Sequence, residues 1–371
     1  MLNTKLLITE KEIKAFLEQI NSADEISIDI EFMRRNTFFP EPCVIQLSNG
    51  NFHGCIDLTM SIDYKNLFKN IFDSDKKIIL HSCRQDLEIL YMILGYIPKN
   101  IFDTQFAASF LGFKYQIGYA ELIKEIYNIT IDKTEKMTNW KKRPLSQKQI
   151  DYAINDVLHL NRLSKDLDEK LIETKKIDFY NEEFTNYLSD IEWNPSADSS
   201  WKKLKSINNF NKEIQDIIRI IAVWRERKAI NKNIPRNWIM NEKEIIEVSK
   251  AYISKKEILI PDKKDSSKNN KYLVEILEEI RNFSGKKVSL YESNKRKYNS
   301  NYKKIADDLY EYYKQVSLYN EISYQIVSPK KMILNYLRSK DSNSRLITGW
   351  RKEIIDINKI TEITNPYFNS N

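Results

Sequence analysis

Apolar and polar residues alternate without a break from Ile26 to Phe32. Ile26, Ile28, Ile30 and Phe32 take one parity, and Ser27, Asp29 and Glu31 the other. A period of two predicts a strand with its apolar set on one face and both carboxylates on the opposite one. Ahead of it, residues 9–21 carry Ile13, Phe16, Leu17 and Ile20 at helical spacing. Behind it, Phe38–Pro42 reads as a turn and Cys43–Leu47 as a second strand, with Asn49-Gly50 turning into a third from Phe52 to Leu58. A helix at Ile62–Phe72, a short buried strand at Lys77–Leu80 and a helix at His81–Leu94 closed by Gly95 follow. A strand at Ile101-Phe102 leads into Asp103-Thr104, which caps a helix to Leu111. Three strands, then helices and strands in alternation, predict an α/β domain around one mixed sheet.

Residues 113–143 read as helix plus loop, ended by Lys141-Lys142-Arg143-Pro144. Ser146 with Gln149 three residues on forms a capping box, and Leu145 faces Ile150 as a hydrophobic staple, so a helix starts here and runs to about Glu173. Residues 190–200 look like an interdomain linker. The second half is helical. Residues 211–230 predict an amphipathic helix with Ile214, Ile217, Ile218, Ile221 and Trp224 inward and Arg219, Arg225, Arg227 and Lys228 outward. Asn241–Glu244 opens another helix, Pro261–Asn270 is a polar loop, Tyr272–Phe283 is helical, and residues 284–303 form a basic linker. Further helices are expected over 304–319, 329–338 and 344–357, which together make two small helical modules with no repeat of fixed period.

A length of 371 residues leaves room for two or three domains, and 42% hydrophobic with 30% charged residues reads as soluble and globular. Cys43, Cys55 and Cys83 form no metal-ligand spacing, and their odd number argues against a disulfide framework and fits a reducing cytoplasm. Residues 1–14 have no secretory pattern, and no run approaches 18 apolar residues, so no membrane span is expected. The net charge of +7 is unevenly placed. Residues 1–200 carry 24 Lys and Arg against 31 Asp and Glu, whereas residues 201–371 carry 35 against 21. The C-terminal half is therefore expected to meet a polyanion.

The chemistry starts from the alternating strand. Two residues apart on it, the α-carbons of Asp29 and Glu31 lie roughly 6.5–7 Å from each other. Like charges at that distance raise each other's pKa unless a cation lies between them, and a hard divalent ion takes its oxygen ligands from such carboxylates. An isolated Asp-x-Glu more often marks only a strand with one solvated face, but three further residues change the balance. Asp86 falls in the first turns of the helix after the strand ending at Leu80, where α/β sheets bind ligands. Tyr152 and Asp156 are four apart on the capped helix, hence on one face and about 5–6 Å apart. The remaining candidates read as structural: His81 as a hydrogen-bonding strand end, Asp103 as an N-cap, Trp224 and Trp350 as module cores.

Taken in this order and on these elements, Asp29, Glu31, Asp86, Tyr152 and Asp156 resemble the exonuclease family named for its four acidic residues, in the branch with a tyrosine before the last aspartate. Asp29-Ile30-Glu31-Phe32 is similar to its first motif, His81–Leu87 to its second, and Tyr152–Asp156 to its third. The resemblance narrows to the ribonuclease D family through Arg34–Pro40 followed by Val44–Leu47, Ile101–Gln105, Thr138-Asn139-Trp140 with Arg143-Pro144-Leu145, Val223-Trp224-Arg225 with Arg227-Lys228, and Leu346–Arg351. Ile30 departs from the usual threonine and Phe38-Phe39 from a tyrosine pair, and the loop at 261–270 is untypical.

The resemblance implies a ribonuclease H-like α/β mixed-sheet domain (1–195) with 3′–5′ exonuclease activity, followed by two small all-α domains. These would be a helicase-and-ribonuclease-D C-terminal (HRDC) domain at 205–285 and a second, degenerate copy at 300–371. It also implies hydrolysis of RNA from the 3′ end to nucleoside 5′-monophosphates in the cytoplasm, with transfer RNA precursors as substrate. Asp29 would bridge two divalent ions, Mg²⁺ or Mn²⁺, with Glu31 and Asp156 on the first and Asp86 on the second, while Tyr152 orients the attacking water. Two other readings stand beside it. A DNA-directed 3′–5′ exonuclease is disfavoured by the helical tail and the absence of a polymerase domain. A catalytically silent RNA-binding adaptor is disfavoured by the five intact residues.

Overall fold

A computed structural model describes residues 5–256, 266–283, 300–339 and 341–368. They fall into two compact units. The first comprises described residues within Met1–Met33, Pro42–Ile191 and Arg296–Asn371, and the second those within Arg34–Glu41 and Glu192–Lys295.

The first unit is built on a six-stranded mixed sheet, as the alternation of strands and helices predicts. Its strands are β1 (Leu6–Leu7), β2 (Glu25–Met33), β3 (Glu41–Ser48), β4 (His53–Asp57), β5 (Lys77–Leu80) and β6 (Ile101–Asp103), in the order β1-β4-β3-β2-β5-β6. The hairpin expected at Asn49-Gly50 pairs β3 and β4 antiparallel, Ser48 opposite His53, whereas β5 runs parallel to β2 and β6 parallel to β5. The edge strand β1, too short to show a period, escapes the sequence reading. Helix α1 (Glu10–Ile20) starts on a capping box between Thr9 and Glu12 and buries Ile13, Phe16, Leu17 and Ile20. Phe16 lies so close to Gly54 of β4 that a Cβ there would meet its ring at 2.6 Å. Helices α2 (Tyr64–Phe72) and α3 (Arg84–Leu94) connect β4 to β5 and β5 to β6, and α4 (Thr104–Ala108) and α5 (Tyr119–Tyr127) follow β6. Gly95 ends α3 in the left-handed region at φ 85°.

Several expectations need correction here. The helix to Leu111 ends at Ala108. The long helix to Glu173 is two helices, α6 (Gln147–Leu158) and α7 (Leu160–Glu173), broken at His159, whose N–H donates to the Tyr119 hydroxyl at 3.2 Å. A further helix, α8 (Ile177–Ser189), closes an aromatic cluster in which Tyr180 and Phe184 stack and Phe106 packs against both.

The second unit is helical. Its long helix α9 (Lys212–Lys232) is covered by α10 (Arg236–Ile239), α11 (Glu242–Ile253), α12 (Ser266–Phe283) and a 3-10 turn at Ala197–Lys203, around Ile217, Ile218, Ile221 and Trp224. Arg225, expected outward, is buried, with Nη1 donating to the Met240 carbonyl at 3.2 Å. The next residue, Glu226, is buried too and pairs with Arg236 at 3.0 Å. The helix is enclosed on more faces than an amphipathic stripe allows, so polar residues on its flanks are drawn inside and paired. Helix α12 starts at Ser266, inside the expected loop 261–270; residues 261–265, and 284–299 of the expected basic linker, lie outside the described residues.

The last helices, α13 (Ser300–Tyr319), α14 (Tyr324–Val327), α15 (Lys330–Ser339) and α16 (Ile357–Phe368), pack as part of the first unit. Instead of a helix over 344–357 there is a turn with a short 3-10 segment, Gly349–Glu353, ahead of α16. That turn is anchored on α8. The Trp350 N–H and Nε1 donate to Glu182 and Glu183 at 2.9 and 2.8 Å, and Arg351 reaches Glu183 at 2.6 Å and the carbonyls of Val327 and Ile326. Gly349 is required there: its φ is +60°, and a Cβ would lie 1.9 Å from Glu182 Oε1. Trp350 and Trp224 are both buried, as core residues should be.

Candidate active site

The pairing register explains where the site forms. Glu25, Ile26 and Ser27 of β2 lie opposite Lys77, Ile78 and Ile79 of β5, and β5 stops at Leu80. Asp29 and Glu31 therefore sit on the part of β2 that has outrun this neighbour. The chain leaving β5 passes through Ser82, at φ 64°, and enters α3, which brings Asp86 beside them in its first turn. From the other side, α6 packs across β2 and β4. The expected capping box is formed: Ser146 Oγ accepts the Gln149 N–H, and the Gln149 side chain returns to the Ser146 N–H. This fixes the start of the helix and hence the direction in which Tyr152 and Asp156, one turn apart, project.

The outcome is a tight acidic group. Carboxylate oxygens of Asp29, Glu31 and Asp156 all lie within 4.8 Å of one another. Asp86 is outside that trio but near enough for its charge to matter, and it is 7% exposed. Burial pushes the Asp29 carboxyl up to about 6, against the pull of the Ile30 N–H and the Lys136 ammonium. Burial and then the charges of Asp29 and Asp156 push Glu31 up to about 9. Burial and then Asp29 push Asp156 up to about 8, opposed by the Tyr152 hydroxyl, Lys136 and Lys133. Asp86 is raised well above the carboxylate range by burial, Asp29, Glu31 and Asp103. Converging hard oxygen donors that repel one another and lack a neutralising ion pair are what a divalent cation requires, so the donor set fits a metal.

Tyr152 donates its hydroxyl to Asp156, and burial together with Asp156, Glu31 and Asp29 raises its phenol above the ordinary range. Its ring lies 5.9 Å from that of Trp140, which is buried. His81 is a structural residue: Nδ1 lies 2.9 Å from Thr104 Oγ1 and Nε2 2.9 Å from the Ile117 carbonyl. Asp103 caps α4 through the N–H groups of Gln105 and Phe106 and also accepts those of Ser82 and Cys83.

Two features of the site lie beyond what the sequence reading drew from it. Arg143 forms a bidentate pair with the buried Asp57 of β4, both contacts at 2.5 Å, and donates to the carbonyls of Cys43 and Trp140. It thereby ties the segment before α6 to the sheet. Lys136 and Lys133 stand close enough to the acidic group to act on it. Their Lys-x-x-Lys spacing just before Thr138-Asn139-Trp140 was the available signal, although nothing in a sequence says which way a loop lysine faces.

Comparison with known proteins agrees with this architecture. Residues 6–172 match the sequence profile of the 3′–5′ exonuclease family. The chain is 33% identical over 246 residues to a ribonuclease D of Bartonella henselae, covering 66% of this chain and 60% of that one. To a ribonuclease D of Granulibacter bethesdensis it is 34% identical over 245 residues, covering 66% and 62%. The match thus spans somewhat less than two thirds of those relatives. A ribonuclease D of Desulfotalea psychrophila aligns over 96% of this chain and 97% of its own at 29% identity. The crystal structure of Escherichia coli RNase D, described as an exoribonuclease involved in structured RNA processing, superposes with a TM-score of 0.82. That superposition covers 99% of this chain and 100% of the other at 22% identity, and shows a shared fold. Residues 6–172 thus carry a 3′–5′ exonuclease domain, and the chain is similar to the ribonuclease D proteins over nearly its whole length.

Proposed function

We propose that this protein is a divalent-metal-dependent 3′–5′ exoribonuclease that removes nucleotides from the 3′ ends of structured RNA, transfer RNA precursors among them, as nucleoside 5′-monophosphates in the cytoplasm. The observation that carries the reading is the convergence of Asp29, Glu31 and Asp156 within 4.8 Å at the open end of β2, with Asp86 and Tyr152 beside them. Asp29, Glu31 and Asp156 would hold one ion, and Asp29 with Asp86 a second; Mg²⁺ and Mn²⁺ both suit carboxylate ligands. When bound, such a pair stabilises the charge of an in-line displacement at phosphorus.

The chain's own groups orient and hold. With its phenol pushed upward by burial and the neighbouring carboxylates, Tyr152 donates to Asp156, a placement that suits holding Asp156 and orienting the attacking water. Buried Trp140 fixes the ring from behind. The basic C-terminal half, 35 Lys and Arg against 21 acidic residues, suits sequence-independent contact with RNA phosphates. The three cysteines are free and buried, in keeping with a reducing compartment, and among the described residues no helix is long and apolar enough to cross a membrane.

Purified protein incubated with 3′-labelled and 5′-labelled transfer RNA precursor, with and without Mg²⁺, tests the reading. It predicts immediate release of labelled mononucleotide from the 3′-labelled RNA and a ladder of shortening products from the 5′-labelled one, only with metal. Preferential hydrolysis of single-stranded DNA in the same assay would overturn the assignment of RNA as substrate. Absence of hydrolysis with RNA still bound would favour the adaptor.

A further inference from the structure

Gln46 of β3 is fully buried, and among the described residues neither its Oε1 nor its Nε2 has a hydrogen-bond partner. A primary amide offers two donors and an oxygen acceptor, and buried ones are almost always paired. Leaving all of them empty destabilises the fold, so the residue calls for a reason.

The surroundings of Gln46 supply one. It lies opposite Cys55 in the register of β3 with β4, so the two side chains share a face of the sheet. Cys55 Sγ lies 4.0 Å from the Ile150 carbonyl of α6, which makes this the face that α6 covers. Two residues on, Ser48 donates to Asn161 Oδ1 of α7 at 3.4 Å, and Ser27 of β2 donates to the same oxygen at 2.8 Å. β2 and β3 are neighbours in the sheet, and residues 34–40 between them are too few for a parallel crossover, so the two strands run antiparallel. Ser27 and Ser48 thus stand side by side on that face. A step of two along each strand brings Asp29 beside Gln46. The same count carried on brings Met33, the last residue of β2, level with Pro42 near the start of β3. The two serines share Asn161 as a partner, whereas the amide beside the Asp29 carboxyl has none.

On the metal-site reading above, we propose that Gln46 is a positioning residue for Asp29: with a cation bound, its Nε2–H donates to the Asp29 carboxylate and fixes the orientation in which that carboxylate meets the ion. An amide suits the task because it donates to a carboxylate without adding charge to a group whose members already repel one another. Ligand carboxylates are commonly held by an outer hydrogen bond of this kind, and its loss weakens metal binding about ten- to a hundredfold. The amide is then unpaired only in the metal-free protein, and the site is arranged for its loaded form.

The test compares full-length wild type with Gln46→Met, which keeps the length of the side chain and removes its polar atoms. Calorimetric titration with Mn²⁺ at neutral pH should show about tenfold weaker binding by Gln46→Met. The metal-free variant should melt at the same temperature as wild type or higher, since an apolar side chain replaces a buried unpaired amide. Equal metal affinity would overturn the proposal and leave Gln46 as a tolerated buried amide. So would a metal-free melting temperature clearly below that of wild type, which would show the amide already paired without metal. In wild type carrying ¹⁵N in its glutamine side chains, one slowly exchanging amide pair should shift on addition of Mg²⁺. If none shifts, the proposal fails whether or not Gln46→Met folds. If wild type itself binds neither Mg²⁺ nor Mn²⁺, it is the metal-site reading that fails.

Discussion

Three carboxylates held within 4.8 Å by a strand and a helix are a strained arrangement without a cation. Asp29→Asn removes one negative charge from that group and one ligand. It should lower the hydrolysis rate on the order of a hundredfold or more, while the metal-free protein melts at the same or a higher temperature at neutral pH. Near-normal hydrolysis by this variant would rule the metal assignment out. Tyr152 makes a separable contribution, because Tyr152→Phe deletes only the hydroxyl that Asp156 accepts and keeps the ring against Trp140. The rate should drop about a hundredfold, the range of one well-placed proton donor, with metal affinity retained by calorimetric titration. An unchanged rate would reduce Tyr152 to packing. That Asp29, Glu31, Asp86, Tyr152 and Asp156 come together was legible because the signal is carried by local spacing: period two on β2, period four on α6, and the first turn after a strand. The pair of Asp57 with Arg143 was not, since it joins segments far apart in the chain.

At the scale of elements, the signals that worked were those with a local mechanism. The capping boxes of α6 and α11, the N-cap Asp103 and the left-handed Gly95 each satisfy backbone groups within a few residues, and the sequence shows them. The break between α6 and α7 has no such signature, because the N–H of His159 is taken by Tyr119, forty residues earlier. Arg225 misled for a related reason: its burial is set by which helices close over α9, not by its own helix. The pair of Arg143 with Asp57 belongs to this scale, since it fastens the segment before α6 onto β3 and β4. Burial alone would raise the Asp57 carboxyl, but the hydrogen bonds of Arg143 and Thr59 outweigh it and hold it below its usual value. A carboxyl whose folded pKa is depressed contributes stability that is complete above the unfolded value near 4 and disappears as pH falls through the folded one. The gap in melting temperature between wild type and Asp57→Asn should therefore be full at pH 7 and shrink below about pH 4. A constant gap from pH 7 to pH 3 would show that the ion pair is not its source. Arg143→Met strands the buried carboxylate and should cost about 3 kcal/mol by denaturant unfolding.

For the molecule as a whole, the sequence divides at the linker near residue 195, whereas the first unit is completed by residues from the far end of the chain. Charge and composition mark the C-terminal half as different but cannot show where its helices pack. The Leu346–Arg351 motif acts through that packing: Trp350 lies 5.5 Å from Phe110 and 5.3 Å from Phe179, and Arg351 is buried beside Glu183. Truncation after residue 200 should thus cost more than positive charge. It bares the aromatic face of α4 and α8, and the fragment should lose much of its cooperative thermal transition. A fragment melting as sharply and as high as the full chain would contradict this. On the proposed function, any contribution of the basic residues to RNA affinity is accordingly measured on the intact chain, by replacing lysines with glutamine. The same anchoring has a consequence for synthesis on the ribosome. The sheet and the helices that carry the acidic group emerge first, but the tryptophan that seals them, Trp350, follows Ile191 by 159 positions. At five to twenty residues per second that is a wait on the order of ten to thirty seconds. During it the nascent chain presents an open aromatic surface, the kind of transiently exposed apolar face that chaperones bind.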